Sequence, residues 1–318
     1  MSSRNTSIAA LAAATLAIAG VAAAAPGAAR ASSLPVNWDF AAGAAAGFSA
    51  PTTPPPGANT GCQPSAAHPY PVILVHGTFA NMNDDWQAAA PLLANHGYCV
   101  FAFNYGGATP SDPVQGTGDI PTSARQLSAF VDQVLAATGA SKVDLVGHSQ
   151  GGMMPRYYIN DLGGAAKVRK LIGIAPSNYG TTAGGLTALT TVLGMIFPVG
   201  TVLDPGCTAC DQQLAGSSFL THLNAAPTVP GVTYTVIETK DDEVVTPYKN
   251  AFLPAGPNVT NITVQNQCPL DQSDHLEIAA DPVALADTLN ALDPAHPVAV
   301  PCLPVLPVTG PAGPVPSF

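Results

Sequence analysis

A five-residue stretch, Gly147–Gly151, constrains the fold of this chain more than any other, because it reads G-H-S-Q-G at the end of a mostly apolar run. The run, Val143–Val146, is typical of a buried strand, and a helix-compatible segment follows the second glycine. A serine at such a junction is typical of a sharp strand-to-helix turn that lifts the hydroxyl above the sheet. We therefore expect Ser149 to be a nucleophile on a strained turn. A plain glycine-rich turn is the alternative interpretation.

Strand-like and helix-like segments alternate along most of the chain. The strand-like segments are residues 70–77, 98–106, 142–149, 168–177, 232–242 and 258–267, and the helix-like ones are 83–97, 120–140 and 281–292. This alternation predicts an α/β protein with a mostly parallel central sheet and helices on both faces. With 318 residues, 47% of them hydrophobic, the chain is long enough for one sizeable core.

The two ends of the chain differ in composition from its middle. Residues 1–31 combine a positive start, an 18-residue apolar stretch and the small-residue triplet Ala-Arg-Ala, which predicts a cleaved signal peptide and a secreted protein. A retained membrane anchor is the alternative. We expect a Pro-rich arm at 32–61, a single catalytic domain at 62–302 and a Pro-rich tail at 303–318.

The charge of the chain argues against nucleic acid as a partner. The formal charge is −10, and nucleic-acid-binding domains are normally basic. Loss of Arg4 and Arg30 with the leader leaves 8 basic and 20 acidic residues, a formal charge of −12.

Six cysteines in an exported chain imply disulfides. They are Cys62, Cys99, Cys207, Cys210, Cys268 and Cys302. The Cys-Thr-Ala-Cys motif at Cys207–Cys210 lacks the second motif or nearby histidine pair of a zinc site. We therefore expect a small disulfide-closed loop there.

A serine hydroxyl needs a base to take its proton, and three histidines follow Ser149 in the sequence. His222 precedes the best acid candidates and lies in a helix-like segment, and His296 lies in a Pro-flanked linker. His275 lies in a loop between a strand and the last helix, which is the usual position of the base in the order Ser, acid, His. We expect His275 to be the base.

The acid partner is expected on a loop after a strand, between the serine and the base. Asp241, Asp242 and Glu243 directly follow such a strand, and spacing alone does not separate them. One of them should hold the imidazole in the correct tautomer. Asp204 and Asp211 are weaker candidates because they belong to the cysteine loop.

Acyl transfer also requires backbone N–H groups that stabilise an oxyanion. One donor is expected from Gln150, the residue after the nucleophile, and the other from the loop after the first strand. In that loop Thr78 follows His76 and Gly77. The Thr78 hydroxyl offers a third donor, and we expect His76 to shape the loop.

Residues 171–203 contain no charged residue. Within them, residues 186–202 are strongly apolar, although glycine and proline interrupt the apolar sequence. Their place between a strand and a loop argues against a membrane-spanning helix. We expect a lid or pocket wall that contacts acyl chains, and an ordinary buried helix is the alternative.

No residues with the spacing of a metal site stand out, so we expect neither a metal nor another cofactor. Asp271 and Asp274 near the base are typical of a solvated loop.

Four motifs now match a known family. The segments VILVHGT, GHSQGG, DDEVVTP and SDH, in this order, resemble the α/β-hydrolase lipases, especially secreted actinobacterial triacylglycerol lipases, and are also similar to Candida antarctica lipase B. The resemblance extends over residues 62–302. Gly147 and His148 follow the bacterial pattern rather than the yeast one.

The resemblance implies an α/β-hydrolase fold and assigns roles within it. It makes Ser149 the nucleophile and His275 the base, and it selects Asp242 because Asp-Glu-hydrophobic-Val is the family's acid motif. It makes Thr78 and Gln150 the oxyanion donors.

The resemblance also implies two disulfides, Cys62–Cys99 and Cys268–Cys302, whereas Cys207–Cys210 has no counterpart in it. The implied activity is that of a secreted serine lipase that hydrolyses triacylglycerols through an acyl-enzyme, as a monomer without a stable membrane anchor, at an oil–water interface. An esterase or polyester depolymerase for shorter or soluble esters is the alternative. A non-catalytic binding protein of the same fold is a further one.

Overall fold

A six-stranded parallel sheet forms the centre of the computed structural model, which describes residues 33–196 and 206–318. Its strands are β1 (Val72–Val75), β2 (Val100–Ala102), β3 (Val143–His148), β4 (Val168–Ile174), β5 (Thr233–Glu238) and β6 (Val259–Thr263). Their order in the sheet is β2-β1-β3-β4-β5-β6. All six lie within the segments that the sequence predicts as strands.

The described helices flank this sheet. They are α1 (Phe40–Phe48), α2 (Ala89–Asn95), α3 (Ile120–Thr138), α4 (Gln150–Asp161), α5 (Ala183–Ile196), α6 (Thr208–Gln212), α7 (Ser218–Leu223), α8 (Val264–Gln267) and α9 (Pro282–Leu292). Single 3₁₀ turns occur at Gly164–Ala166, Tyr248–Ala251 and Glu277–Ala279. Within residues 33–196 and 206–318, no helix combines the length and hydrophobicity required to cross a membrane.

Side chains that alternate along the central strands build two hydrophobic cores, one on each face of the sheet. On β1, Val72 and Leu74 join the core that contains α2 and α9. Ile73 and Val75 join the opposite core, which contains α3 and α4. The predicted α/β architecture, with helices on both faces, is therefore confirmed.

The helix predicted at 83–97 is shorter than expected, since α2 begins only at Ala89. The residues before it form turns in which side chains occupy the backbone N–H groups. Asp84 accepts the N–H of Asn81, and the Asn81 side chain in turn accepts the N–H groups of Asn83 and Asp84. Asn and Asp compete with helix formation in this way, so the helix begins after them.

The predicted Pro-rich arm contains a helix that the sequence analysis did not anticipate. Asp39 caps α1 by accepting the N–H of Ala42 at 2.8 Å. Phe40, the first helical residue, is only 4% exposed and packs against the core. The arm therefore contributes to the interior of the protein. The predicted signal peptide lies outside the described residues.

Three disulfides join the six cysteines in the pairs Cys62–Cys99, Cys207–Cys210 and Cys268–Cys302. The last pair spans 34 residues that include α9. It also fixes the start of the C-terminal tail, which forms an antiparallel hairpin of β7 (Val305–Leu306) and β8 (Gly310–Pro311).

Removal of the Cys268–Cys302 bridge should lower the free energy of unfolding by about 3–4 kcal/mol, because it frees a loop of 34 residues in the unfolded chain. The double substitution Cys268→Ala/Cys302→Ala tests this by denaturant unfolding.

The matched control is Cys207→Ala/Cys210→Ala, whose bridge spans only three residues. The same chain-entropy relation gives about 2 kcal/mol for that pair. Equal losses from the two double variants would contradict the prediction.

Candidate active site

The turn at Ser149 joins the end of β3 to the start of α4. Ser149 has φ 53° and ψ −121°, a positive φ that non-glycine residues rarely adopt. Its N–H donates to the carbonyl of Ile174 at 2.9 Å, which ties the turn to the neighbouring strand β4. The structure thus has the strained strand-to-helix turn that the sequence predicts, with a serine at its apex.

The two glycines of the motif are required by close backbone packing. A Cβ atom at Gly147 would overlap the carbonyl oxygen of Gly151, and a Cβ at Gly151 would overlap the carbonyl oxygen of Val75 on β1. Neither oxygen is free to move, because each belongs to the backbone of a packed element. Small residues at these positions therefore hold the turn against the sheet.

Three polar side chains from distant parts of the chain meet at this turn. His275 Nε2 lies 3.0 Å from the Ser149 hydroxyl, and His275 Nδ1 lies 2.8 Å from Oδ2 of Asp242. The other carboxylate oxygen of Asp242 accepts the N–H groups of Val244 and Val245 at 2.8 and 2.7 Å. A carboxylate on one ring nitrogen leaves the other nitrogen free to accept a proton. The arrangement can therefore draw the serine proton onto the ring.

The structure separates the three adjacent acids that sequence spacing left open. Asp241 is exposed, and none of its described contacts reaches the ring of His275. Glu243 accepts the backbone N–H of His275 at 3.2 Å rather than a ring proton. Asp242 alone of the three contacts the ring.

The other acid and base candidates lie elsewhere. Asp211 is part of α6, and Asp204 lies outside the described residues. The exposed rings of His222 and His296 pair with Asp161 and Asp293, both at 2.9 Å. Neither ring has a hydrogen bond to Ser149 among the described residues.

The carboxylates around His275 control its protonation. Burial by itself lowers the pKa of His275, but the charge and hydrogen bond of Asp242 oppose it, and the charges of Glu243 and Asp274 add to that effect. The net pKa is raised above its ordinary value. The site therefore stabilises the imidazolium that forms when the ring accepts a proton.

Two backbone N–H groups are available for an oxyanion. In the part of the chain that the structure describes, neither Thr78 nor Gln150 uses its N–H in a hydrogen bond. The Thr78 hydroxyl accepts side-chain amides of Gln150 and Gln213 at 2.7 and 2.8 Å. Since both acceptor positions are filled, the hydroxyl hydrogen remains to be donated. Gln213 was missed by the sequence analysis because nothing local connects it to residue 78.

His76 shapes the loop that carries Thr78, as the sequence predicts. Burial lowers the pKa of His76 to about 4, so the ring is neutral. Its Nδ1 donates to the carbonyl of Gly77 at 2.8 Å and its Nε2 accepts the N–H of Tyr105 at 3.3 Å. The ring also stacks on Tyr105, with centroids 4.2 Å apart.

Apolar side chains close the space above the serine. Leu189 and Leu193 of α5 and Phe40 of α1 line a cavity of about 10 Å³ beside Ser149, roughly enough for one water molecule. The buried stripe of α5 thus forms a pocket wall, whereas residues 197–203 of the predicted lid lie outside the described residues. Phe40 was not anticipated, because its contact with the site spans more than 100 residues of sequence.

Within the described residues, no group of three or more His, Cys, Asp or Glu side chains is arranged to hold a metal ion.

The family model described as "Lipase (class 2)" matches residues 69–286 of the chain, about two thirds of its length. The matched range contains all five residues predicted for the site: Thr78, Ser149, Gln150, Asp242 and His275. It does not include α1, which supplies Phe40.

Two curated relatives are both triacylglycerol lipases. The one from Burkholderia plantarii is 42% identical over 127 residues, which cover 38% of this chain and 34% of that protein. The one from Pseudarthrobacter phenanthrenivorans is 48% identical over 97 residues, which cover 29% and 28%. The match therefore spans about a third of the length of these relatives.

A solved structure, lipase B of Aspergillus fumigatus, is similar in fold. Its TM-score is 0.59 at 21% sequence identity, over 84% of this chain and 58% of that chain. At this identity the similarity concerns the fold.

Asp242→Asn should lower the pKa of His275, because the amide removes the negative charge that stabilises the imidazolium. The wild-type ring keeps its proton to a higher pH than free histidine, and the variant should lose it at a lower pH than wild type. NMR titration of the ring measures both.

Asp241→Asn is the matched control, since the exposed Asp241 has no described contact with the ring. An equal shift in the two variants would show that the contact between Asp242 and His275 is not the cause.

Proposed function

The chain belongs to the class 2 lipase family, and we propose that it is a serine hydrolase that cleaves the carboxylic ester bonds of triacylglycerols. The observation that carries the proposal is the buried series Asp242–His275–Ser149, joined by contacts of 2.8 and 3.0 Å. Together with two free N–H groups beside the serine, it meets the geometric needs of acyl transfer.

In the first half of the reaction, the Ser149 hydroxyl attacks the ester carbonyl carbon while its proton passes to His275 Nε2. The carbonyl π electrons move onto oxygen, and the N–H groups of Thr78 and Gln150 donate to the resulting oxyanion. The Thr78 hydroxyl adds a third donor. Asp242 stabilises the imidazolium but keeps its own charge.

When the tetrahedral intermediate collapses, the bond to the alcohol breaks and His275 gives its proton to the departing oxygen. An acyl-enzyme on Ser149 remains. Water then repeats the sequence: His275 takes its proton, the hydroxide adds to the acyl carbonyl, and the serine leaves with the proton from the ring. The products are an alcohol and a carboxylic acid, and no cofactor takes part.

The lining of the cavity supports a lipid substrate. Phe40, Leu189 and Leu193 present an apolar surface to the serine, which suits acyl chains. Since the cavity holds only about 10 Å³, a substrate must displace part of this cover. An oil–water interface would favour that displacement, because α5 carries exposed apolar surface at Met195.

An esterase or polyester depolymerase would use the same chemistry on shorter or soluble esters. It would not need an interface to open the site, so its rate on a soluble ester would match or exceed that on an emulsion. A non-catalytic binding protein would have no turnover with either. The apolar side chains of α1 and α5 that line the small cavity beside Ser149 favour the lipase.

We also propose that the protein is secreted. The leader-like composition of residues 1–31 and the three disulfides support an oxidising destination. A monomer remains our prediction for its oligomeric state.

Ser149→Ala should retain the fold and lower kcat by about 10⁴–10⁶-fold, the range of serine and histidine deletions in such sites. Hydrolysis of p-nitrophenyl esters and of triolein measures the loss, and circular dichroism with thermal unfolding checks the fold. Retention of more than roughly a tenth of the activity, where such deletions leave far less, would overturn the role of Ser149.

Met195→Gln should slow the hydrolysis of emulsified triolein by about tenfold, because one apolar side chain no longer inserts into the oil droplet. The hydrolysis of dissolved p-nitrophenyl acetate should change little. Met195 is 79% exposed on α5, so its apolar surface is available to an oil droplet.

Leu306→Gln serves as the control, because Leu306 is 43% exposed but belongs to β7 rather than α5. Equal losses on both substrates, or equal losses in both variants, would contradict a role for α5 at the interface.

A further inference from the structure

A second buried histidine, His148, lies beside His275 and connects two parts of the site. Its Nε2 lies 2.9 Å from the carbonyl oxygen of His275, and its Nδ1 lies 2.8 Å from Oδ1 of Asp85. The other oxygen of Asp85 accepts the N–H of Gly77 at 2.8 Å. A continuous series of three hydrogen bonds therefore runs from the Gly77 loop through two side chains to the backbone of the base.

These bonds fix the orientation of the His148 ring. Both nitrogens of His148 contact oxygen atoms, one in a carboxylate and one in a carbonyl, so the ring is held at both nitrogens. Burial acts to raise the pKa of Asp85, but the charge and hydrogen bond of His148, together with the N–H of Gly77, hold that pKa below its usual range. His148 and the Asp85 carboxylate therefore form a tightly hydrogen-bonded pair.

The pair is rigid because it is buried. Both side chains are almost completely shielded from solvent, and breaking such a pair leaves an unpaired charge in the interior. The rings of His148 and His275 lie 5.1 Å apart between centroids. A buried ring that is hydrogen-bonded to the carbonyl of the base leaves that carbonyl little freedom to shift.

We infer that His148, held by Asp85, is a positioning residue. It keeps the loop of His275 and the loop of Thr78 in fixed positions relative to each other. His148 acts through the backbone carbonyl of His275, and Asp85 acts through Gly77, the residue before Thr78. The inference rests on the ester hydrolysis proposed above. Neither side chain takes part in the proton transfers of that reaction.

The expected consequence is a loss of kcat rather than of substrate binding. A base or an oxyanion donor that is displaced by about 1 Å loses on the order of 10²-fold in rate. The apolar surface that we propose binds acyl chains belongs to α1 and α5, so KM should change little.

Two substitutions at His148 separate its two hydrogen bonds. His148→Gln places an amide near the position of Nε2 and retains a donor to the carbonyl of His275. His148→Asn places its amide near the position of Nδ1, so it keeps a donor to Asp85 and loses the contact with His275. Both variants are neutral amides, which matches them for charge and polarity.

We expect His148→Asn to lose about 10–100-fold in kcat and His148→Gln to retain at least several-fold more activity than His148→Asn. The assay is hydrolysis of dissolved p-nitrophenyl acetate, with kcat and KM determined separately and the folded fraction measured by circular dichroism. A purely structural role would lower thermal stability in both variants and leave their kcat values equal.

A second pair tests the other end of the series. Asp85→Asn can accept the N–H of Gly77 with its carbonyl oxygen and hydrogen-bond the His148 ring with its amide, so the contact of His148 Nε2 with His275 is kept. Asp85→Ala removes both contacts. We expect Asp85→Asn to retain at least about tenfold more kcat than Asp85→Ala.

Labelling with a p-nitrophenyl phosphonate keeps the two proposals apart. Labelling of wild type, and none of Ser149→Ala, supports the proposed function whatever the His148 variants do. If wild type is labelled but the two His148 variants have equal kcat and the two Asp85 variants have equal kcat, the positioning role is wrong and the proposed hydrolase function stands. If wild type is neither labelled nor active, the proposed function falls and the inference falls with it.

Discussion

The close approach of backbone atoms at the Ser149 turn is the constraint on which the rest of the site depends. Gly147 and Gly151 allow β3, β1 and α4 to pack without an intervening Cβ, and this packing holds the serine at a positive φ. Because the carboxyl ends of parallel strands lie along one edge of a sheet, the segments after β1, β4, β5 and β6 approach the same turn. The site is assembled from these loops, and its precision comes from the sheet beneath them.

Charge is distributed around this turn in two buried pairs. Asp242 faces His275 and raises the affinity of that ring for a proton, whereas Asp85 pairs with His148 in the strand below. The first pair is hydrogen-bonded to the serine, whereas the second is hydrogen-bonded only to backbone groups and between its own members. The same residue types therefore serve two purposes, which depend on whether a ring nitrogen faces a hydroxyl or a carbonyl.

Much of the fold could be predicted from the sequence, because strands and helices follow from local periodicity and from side-chain size. The six strands and the flanking helices α3 and α9 agree with their predicted segments. Ser149 was identifiable because its motif is contiguous, and His275 because the order of the chain leaves few alternatives. The start of α2 was not predicted correctly, since side chains of Asn81 and Asp84 hold turns that a count of apolar residues does not reveal.

The contacts between distant segments were decided by the tertiary structure. Spacing alone left three adjacent acids open, a family resemblance selected Asp242, and only the direction in which β5 ends shows that this carboxylate faces the ring while Asp241 faces solvent. Phe40 enters the cavity from a helix outside the family match, and Asp85 reaches His148 across 63 residues. The sequence by itself determined the six strands, the helices α3 and α9, and the motif at Ser149. The tertiary structure determined the partners, because hydrogen bonds and packing depend on where elements meet in space and leave no local pattern in the chain.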